Sequence, residues 1–196
     1  MYLRNLHFFQ RSDQIKTVVL YYSVWQELYT VMQKEGLVTT FKQHYPSNQE
    51  FIDTFTEPSN KGQHSIAIFD DCSLHINEDI LKIANVSARH LSTTCFFIYQ
   101  NLFNNDKYSR TLSMSARYMH LLFAKRMFLS VQILFRQIES QGAKWLSQVY
   151  EDIMKTPYSC MLIDFSVDCP DYLRYRTGFE QDRPVYVYIK KGTSIL

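Results

Sequence analysis

The sequence predicts an α/β protein built on a largely parallel sheet. Two observations carry this. Short apolar runs rich in β-branched and aromatic residues alternate with helix-length amphipathic segments along the chain. One of these runs, Ser65-Ile66-Ala67-Ile68-Phe69, stops abruptly on two adjacent carboxylates, Asp70 and Asp71. A short apolar run bounded by polar residues fits a strand buried on both faces. A buried parallel strand exposes its function at its carboxyl end, so two acids there are placed to hold a metal ion and a water.

The length of 196 residues suits one domain spanning 1–196. Hydrophobic residues at 46% and charged residues at 20% exclude a disordered or acidic chain. A net charge of +2 gives weak support at best for a nucleic-acid partner, because a polyanion needs a local basic face. Cys72, Cys95, Cys160 and Cys169 are scattered without tight spacing, which implies a reducing compartment and no disulfide framework. The start, Met1-Tyr2-Leu3-Arg4-Asn5-Leu6, is too short and polar for a signal peptide, and no run approaches a membrane span. The expectation is a soluble intracellular protein with no membrane partner. The glycosylation sequon Asn85-Val86-Ser87 carries no weight without a secretory signal.

In chain order, residues 1–9 fit the tail of an amphipathic helix, with Leu3, Leu6 and Phe9 at helical spacing and no cap ahead of them. Residues 15–21 are a strand, followed by Ser23 as N-cap of a helix carrying Trp25, Leu28, Tyr29 and Met32 and closed by Gly36. A strand at 37–41, a helix at 49–55 and the polar turn Pro58-Ser59-Asn60-Lys61-Gly62 lead into the acidic strand. A helix fits 78–89, and a second buried strand, 93–99, ends on Gln100-Asn101. A polar loop covers 104–110, then come a strand at 118–123, helices near 128–138 and 143–154, a strand at 159–165 and a last strand at 185–189. The sheet is expected to be largely parallel and mixed at most at its edges.

Read in order, these features resemble a known family. The strand ending Asp70-Asp71, then Arg89-His90, then the strand ending Gln100-Asn101-Leu102-Phe103, then Arg110-Thr111-Leu112-Ser113 leading into Tyr118, are similar to the DNA-packaging ATPases of double-stranded DNA viruses and virus-like transposons. Those proteins belong to the FtsK/HerA branch of P-loop NTPases. Trp25-Gln26, Thr156-Pro157-Tyr158 and Tyr186-Val187-Tyr188 extend the resemblance over nearly the whole chain. It implies a P-loop NTPase-like three-layer sandwich using Mg²⁺ and ATP. By resemblance Asp70 orients the Mg²⁺ shell through water, Asp71 polarises the attacking water, Gln100 senses the γ-phosphate and Arg110 reaches a neighbouring subunit's nucleotide. Phosphoryl transfer needs positioned metal, water and positive charge, which these types supply. The partners implied are double-stranded DNA, capsid or portal proteins and further copies in a ring, in a host nucleus or cytoplasm or in a virion.

Departures from the pattern weigh as much. No G-x-x-x-x-G-K-[ST] occurs, and only five glycines, Gly36, Gly62, Gly142, Gly178 and Gly192, are present to build a phosphate loop. The resemblance puts that Walker A loop just ahead of the helix tail at Tyr2-Leu3-Arg4-Asn5-Leu6, so the domain is expected to be truncated at its amino end. Ser115 and Arg117 stand where the family shows Asn and His, and Phe128 where it shows Asp. One preorganised donor is worth about 10²–10³ in rate, and the loop supplies several. No useful ATP hydrolysis is expected from this chain.

Other readings stay open beside this one: a catalytically dead binding or assembly subunit, or an unrelated α/β interaction module. Cys72, His75, His90 and Cys95 have zinc-ligand types. Cys95 falls mid-strand and no Cys-x-x-Cys knuckle supports the set, so zinc is the weaker expectation, and a Cys–His nucleophile weaker still. Lys107, Arg110, Arg117, Lys125 and Arg126 gather in one segment, either as a DNA-contacting surface or as a solvated face.

Overall fold

The computed structural model describes residues 15–56, 63–98, 100, 107–122, 128–178 and 184–192. The expected helix tail at 1–9, the turn at 58–62, Asn101, Lys125 and Arg126 lie outside these. The chain divides into two compact units, with the break between Ser115 and Ala116.

The first unit is α/β, with four parallel strands in the order β2-β1-β3-β4. These are β1 (Ile15–Tyr21), β2 (Thr40–Lys42), β3 (His64–Asp70) and β4 (Thr93–Ile98). Strand period decides the two faces. Val18, Leu20, Ile66 and Ile68 point one way and pack with Tyr22, Tyr29 and Val38. Val19, Tyr21, Ala67 and Phe69 point the other way, against Phe51, Phe55, Ile80, Ile83 and Leu112. Helices α1 (Glu27–Lys34), α2 (Asn48–Phe55), α3 (Glu78–Lys82) and α5 (Lys107–Ser115) supply Tyr29, Phe51, Phe55, Ile80 and Leu112 among those partners. β1 and β3 are thus buried on both faces, as their continuous apolar runs require.

Helix α1 starts later than Ser23: its N-cap is Gln26, with no side-chain cap bond. Its expected end holds, because Gly36 takes φ 65° and lets Leu37 N–H reach the Met32 carbonyl at 3.0 Å. Ser47 caps α2 in a reciprocal box with Glu50. The helix expected at 78–89 is continuous but uneven. Between α3 and the short α4 (Ala88–His90) lies a π-turn at Ile83–Ser87. The extra residue keeps Ile80, Ile83, Ser87 and Ala88 all facing inward. Residues 107–110, expected in a polar loop, open helix α5 instead. Thr111 and Ser113 donate back to the Lys107 and Ser109 carbonyls, at 2.8 and 3.0 Å, so these hydroxyls ride on a helix whose Leu112 is buried.

The second unit holds an antiparallel sheet, β5-β6-β7, and two helices. Its elements are β5 (Tyr118–Leu122), α6 (Phe128–Ile138), α7 (Ala143–Ile153), β6 (Cys160–Asp164) and β7 (Tyr175–Thr177). Antiparallel pairing therefore forms a sheet of its own here and not an edge of the parallel one. The last segment, 185–189, runs along β7 through one bridge, Arg176 to Val187. No helix among the described residues is long and apolar enough to cross a membrane.

Candidate functional site

From β1 the chain goes to β2 on one side, then returns to β3 and β4 on the other. Such an order reverses between β1 and β3, and the crevice beyond the carboxyl ends of those strands is the favoured ligand position in open parallel sheets. Asp70 and Asp71 end β3 at that point.

Asp70 is half-buried and Asp71 exposed. The Tyr29 hydroxyl, from α1, donates to Asp70 Oδ2 at 2.5 Å, and the Tyr45 hydroxyl donates to the Asp70 carbonyl at 2.5 Å. Burial, followed by the bond to Asp70, pushes the Tyr29 phenol well up. Burial likewise takes Tyr45 to about 12, with Asp70 and Asp71 adding to it. Both phenols are neutral donors at physiological pH, so they orient the acid without cancelling its charge. Tyr29 is buried in an aromatic cluster with Tyr22, Trp25 and Phe41. Tyr45 stacks on His75 at 4.7 Å.

The turn after the acids is sharp. Asp71 takes φ 54° and ψ 39°, a left-handed conformation that Asp tolerates better than most residues, and it opens a 3-10 turn at Cys72–Leu74. Cys72 is fully buried, its thiol directed at the Ile98 carbonyl at 3.8 Å. Burial pushes that thiol up to about 12, so it is not an activated nucleophile. Cys95 is pushed to about 12 by the same cause.

Asp70 pairs with Ile98 across β3 and β4, so Gln100, two residues further on and exposed, lies at the same carboxyl edge. The fold therefore puts Asp70, Asp71 and Gln100 at one edge of the sheet. Arg110 is on the exposed face of α5, and no hydrogen bond or ion pair joins it to either acid. Lys107 lies over the Tyr108 ring, and Arg117, in the second unit, bonds to Ser166 and Asp168. Among the described residues no cation pairs with Asp70 or Asp71, and no three His, Cys, Asp or Glu side chains form a metal-sized cluster.

Tyr29 and Tyr45 are the site residues that sequence reasoning missed. Tyr29 sits at a core position of an amphipathic helix, where an aromatic reads as packing. The available signal was chemical: a buried phenol needs an acceptor, and the acid pair offers one.

The second unit contains a contrasting acid. Asp164, at the end of β6, is buried and accepts from Ser166 N–H at 2.9 Å, from Ser166 Oγ and from Arg176 Nη2 at 2.9 Å. Burial alone would raise its pKa, but the Ser166 bonds and the Arg176 charge outweigh it and leave the carboxyl below the usual range. This is a closed structural ion pair.

Fold and site together define an α/β protein with an acidic site at the switch point of a parallel sheet. No family model, curated protein or solved structure matches the chain.

Proposed function

We propose that the chain is the acidic half of a P-loop NTPase-like motor domain of the FtsK/HerA packaging type, the reading its residue pattern resembles. The observation that carries it is a central parallel strand ending on Asp70-Asp71 at the switch point, beside a parallel strand that leads to Gln100. In this reading Asp70 holds the water shell of Mg²⁺, Asp71 polarises the attacking water, Gln100 senses the γ-phosphate and Arg110 serves a neighbouring copy. Double-stranded DNA is the substrate moved, and capsid or portal proteins are the docking partners.

The acid pair fits the carboxylate share of a magnesium site, since Mg²⁺ is commonly held by one or two carboxylates plus substrate phosphates. The phosphate share does not fit these residues, because no G-x-x-x-x-G-K-[ST] is present. No hydrolytic step follows from this chain by itself. A second reading, a catalytically dead binding or assembly subunit, is favoured by one observation: the Tyr29 hydroxyl occupies Asp70 Oδ2, an oxygen a hydrated metal would use.

Thermal unfolding with and without Mg-ATP tests the proposal, because any ligand of the native state raises its stability by RT ln(1 + [L]/Kd). Stabilisation that disappears in Asp70→Asn is expected, with no phosphate release. No stabilisation at millimolar nucleotide would refute nucleotide binding. Turnover abolished by Asp71→Asn would refute the inactive state.

A further inference from the structure

The segment Val185-Tyr186-Val187-Tyr188-Ile189 runs along the outer side of β7, joined to it by the Arg176–Val187 bridge. Its inner side is spoken for. Thr177 N–H donates to the Tyr186 carbonyl at 2.9 Å, Tyr186 N–H to Thr177 Oγ1 at 2.9 Å, and Tyr188 N–H to the Tyr175 carbonyl at 2.8 Å. In an extended strand, backbone groups alternate sides, so the N–H and C=O of Val185, Val187 and Ile189 point away from β7. Among the described residues nothing pairs with them. Side chains alternate too. Tyr188 and Lys190 reach Asp152 and Glu139, at 2.9 and 2.8 Å. Val185, Val187 and Ile189 form a β-branched row on the opposite face, 40%, 37% and 42% exposed. The five residues carry no charge, glycine or proline, the composition that most readily accepts another strand.

We propose that this edge pairs antiparallel with the same edge of a second copy of the chain, about a two-fold axis at Val187. The segment is nearly palindromic around that residue. In this register Val187 faces Val187 of the second copy, each Tyr186 faces a Tyr188, and each Val185 faces an Ile189. Every side chain thus meets its own kind, tyrosines on one face and β-branched residues on the other, which is the favourable cross-strand pairing. A foreign strand would gain the backbone bonds without this matching. The outward groups of Val187 make it a hydrogen-bonded pair, with Cα atoms about 5.5 Å apart. A five-residue edge covers less than the ~1,200 Å² of a standard stable interface, so the dimer is reversible and concentration-dependent. The contact is isologous and closes at two copies, unlike the head-to-tail contacts of a ring. It is independent of the nucleotide reading.

Sedimentation of the full chain from low micromolar to sub-millimolar concentration should show mass rising from 23.3 kDa to twice that value and no further. Val187→Pro removes only an outward N–H, which an edge tolerates. It should keep the folded-state circular dichroism and abolish the dimer, while Val187→Thr should retain it. Val187→Cys should cross-link to a covalent dimer on mild oxidation, since the Cα separation suits a disulfide; Val24→Cys, in the first unit and more exposed at 71% against 37%, should not. Monomer at all concentrations, dimer persisting in Val187→Pro, a mass above two copies, or equal cross-linking at positions 24 and 187 would each overturn the proposal.

Discussion

Replacing Tyr29 by Phe removes one hydroxyl and keeps the ring. That ring is 2% exposed and packs against Tyr22, Trp25 and Phe41 at centroid distances of 5.3, 5.5 and 6.3 Å, so the packing is conserved. What is lost is the bond to Asp70 Oδ2. A hydrogen bond to a charged group contributes about 1.5–3 kcal/mol. Asp70 is half-buried, so water replaces the phenol in part, and the expected cost falls to ~1–1.5 kcal/mol. The chain has two tryptophans, Trp25 in the first unit and Trp145 in the second. Urea unfolding followed by Trp25 fluorescence in a Trp145→Phe background therefore reports the relevant unit. A double-mutant cycle with Asp70→Asn isolates the pair, and a coupling of about 1 kcal/mol is expected. Coupling below ~0.3 kcal/mol would refute the claim that Tyr29 holds this acid. The same substitution frees Oδ2, so under the proposed function Mn²⁺ added as a magnesium probe should bind Tyr29→Phe more tightly than wild type.

Three further outcomes follow from the packing. His120, in a cross-strand row with Leu162 and Arg176, has its pKa pushed down to about 4, by burial first and the Arg176 charge second. Because the folded value lies below the ordinary ~6.5, stability of the second unit is full above pH ~6.5 and falls as pH drops toward ~4, by on the order of 2–3 kcal/mol. His120→Gln should flatten that window in pH-dependent urea titrations. Arg176→Met leaves a buried carboxylate without its cation: the pair lies at 2.9 Å with side chains 17% and 8% exposed. The loss should be about 3 kcal/mol, at the low end for a broken buried pair because Ser166 still serves Asp164, read by Trp145 fluorescence beside Tyr175. At Asp71, with φ 54°, Asp71→Gly should change stability by less than ~0.5 kcal/mol while Asp71→Val costs about 1–2 kcal/mol, since a β-branched residue resists the left-handed region. Equal effects in thermal melts would show that this turn carries no backbone constraint.

Much of the first unit was legible because β1 and β3 are apolar on both faces. β1, β3 and β4 announce themselves without tertiary information, and the acids at the end of β3 were visible as an interruption of such a run. Pairing direction was not legible. Cys-Met-Leu-Ile-Asp of β6 is as continuously apolar as β3, yet it is the middle of an antiparallel sheet, paired to β5 and β7 with helix α7 packed against it. Helix α5 was hidden by composition: Lys-Tyr-Ser-Arg-Thr-Leu-Ser reads as loop until its hydroxyls are seen bonding back one turn. Strand β2 slid toward Lys42 because Thr39 spends both its backbone N–H and its hydroxyl on Val18 before the ladder begins.

Two of the described strands, β3 and β6, end on a carboxylate, and their surroundings differ. Asp164 is sealed by Arg176 and Ser166, so its charge is already balanced and its burial is tolerable. Asp70 is held by Tyr29, and its carbonyl by Tyr45; both are neutral donors that fix geometry and leave the negative charge standing. Beside it Asp71 adds a second charge, exposed, on a backbone conformation that costs stability for most residues. Among the described residues no cation pairs with these two acids, and such a pair is unfavourable for folding alone, since like charges repel. A cation or a cation-carrying ligand would relieve that repulsion. That asymmetry, more than the presence of carboxylates, separates the end of β3 from the end of β6 and is what the proposed function rests on.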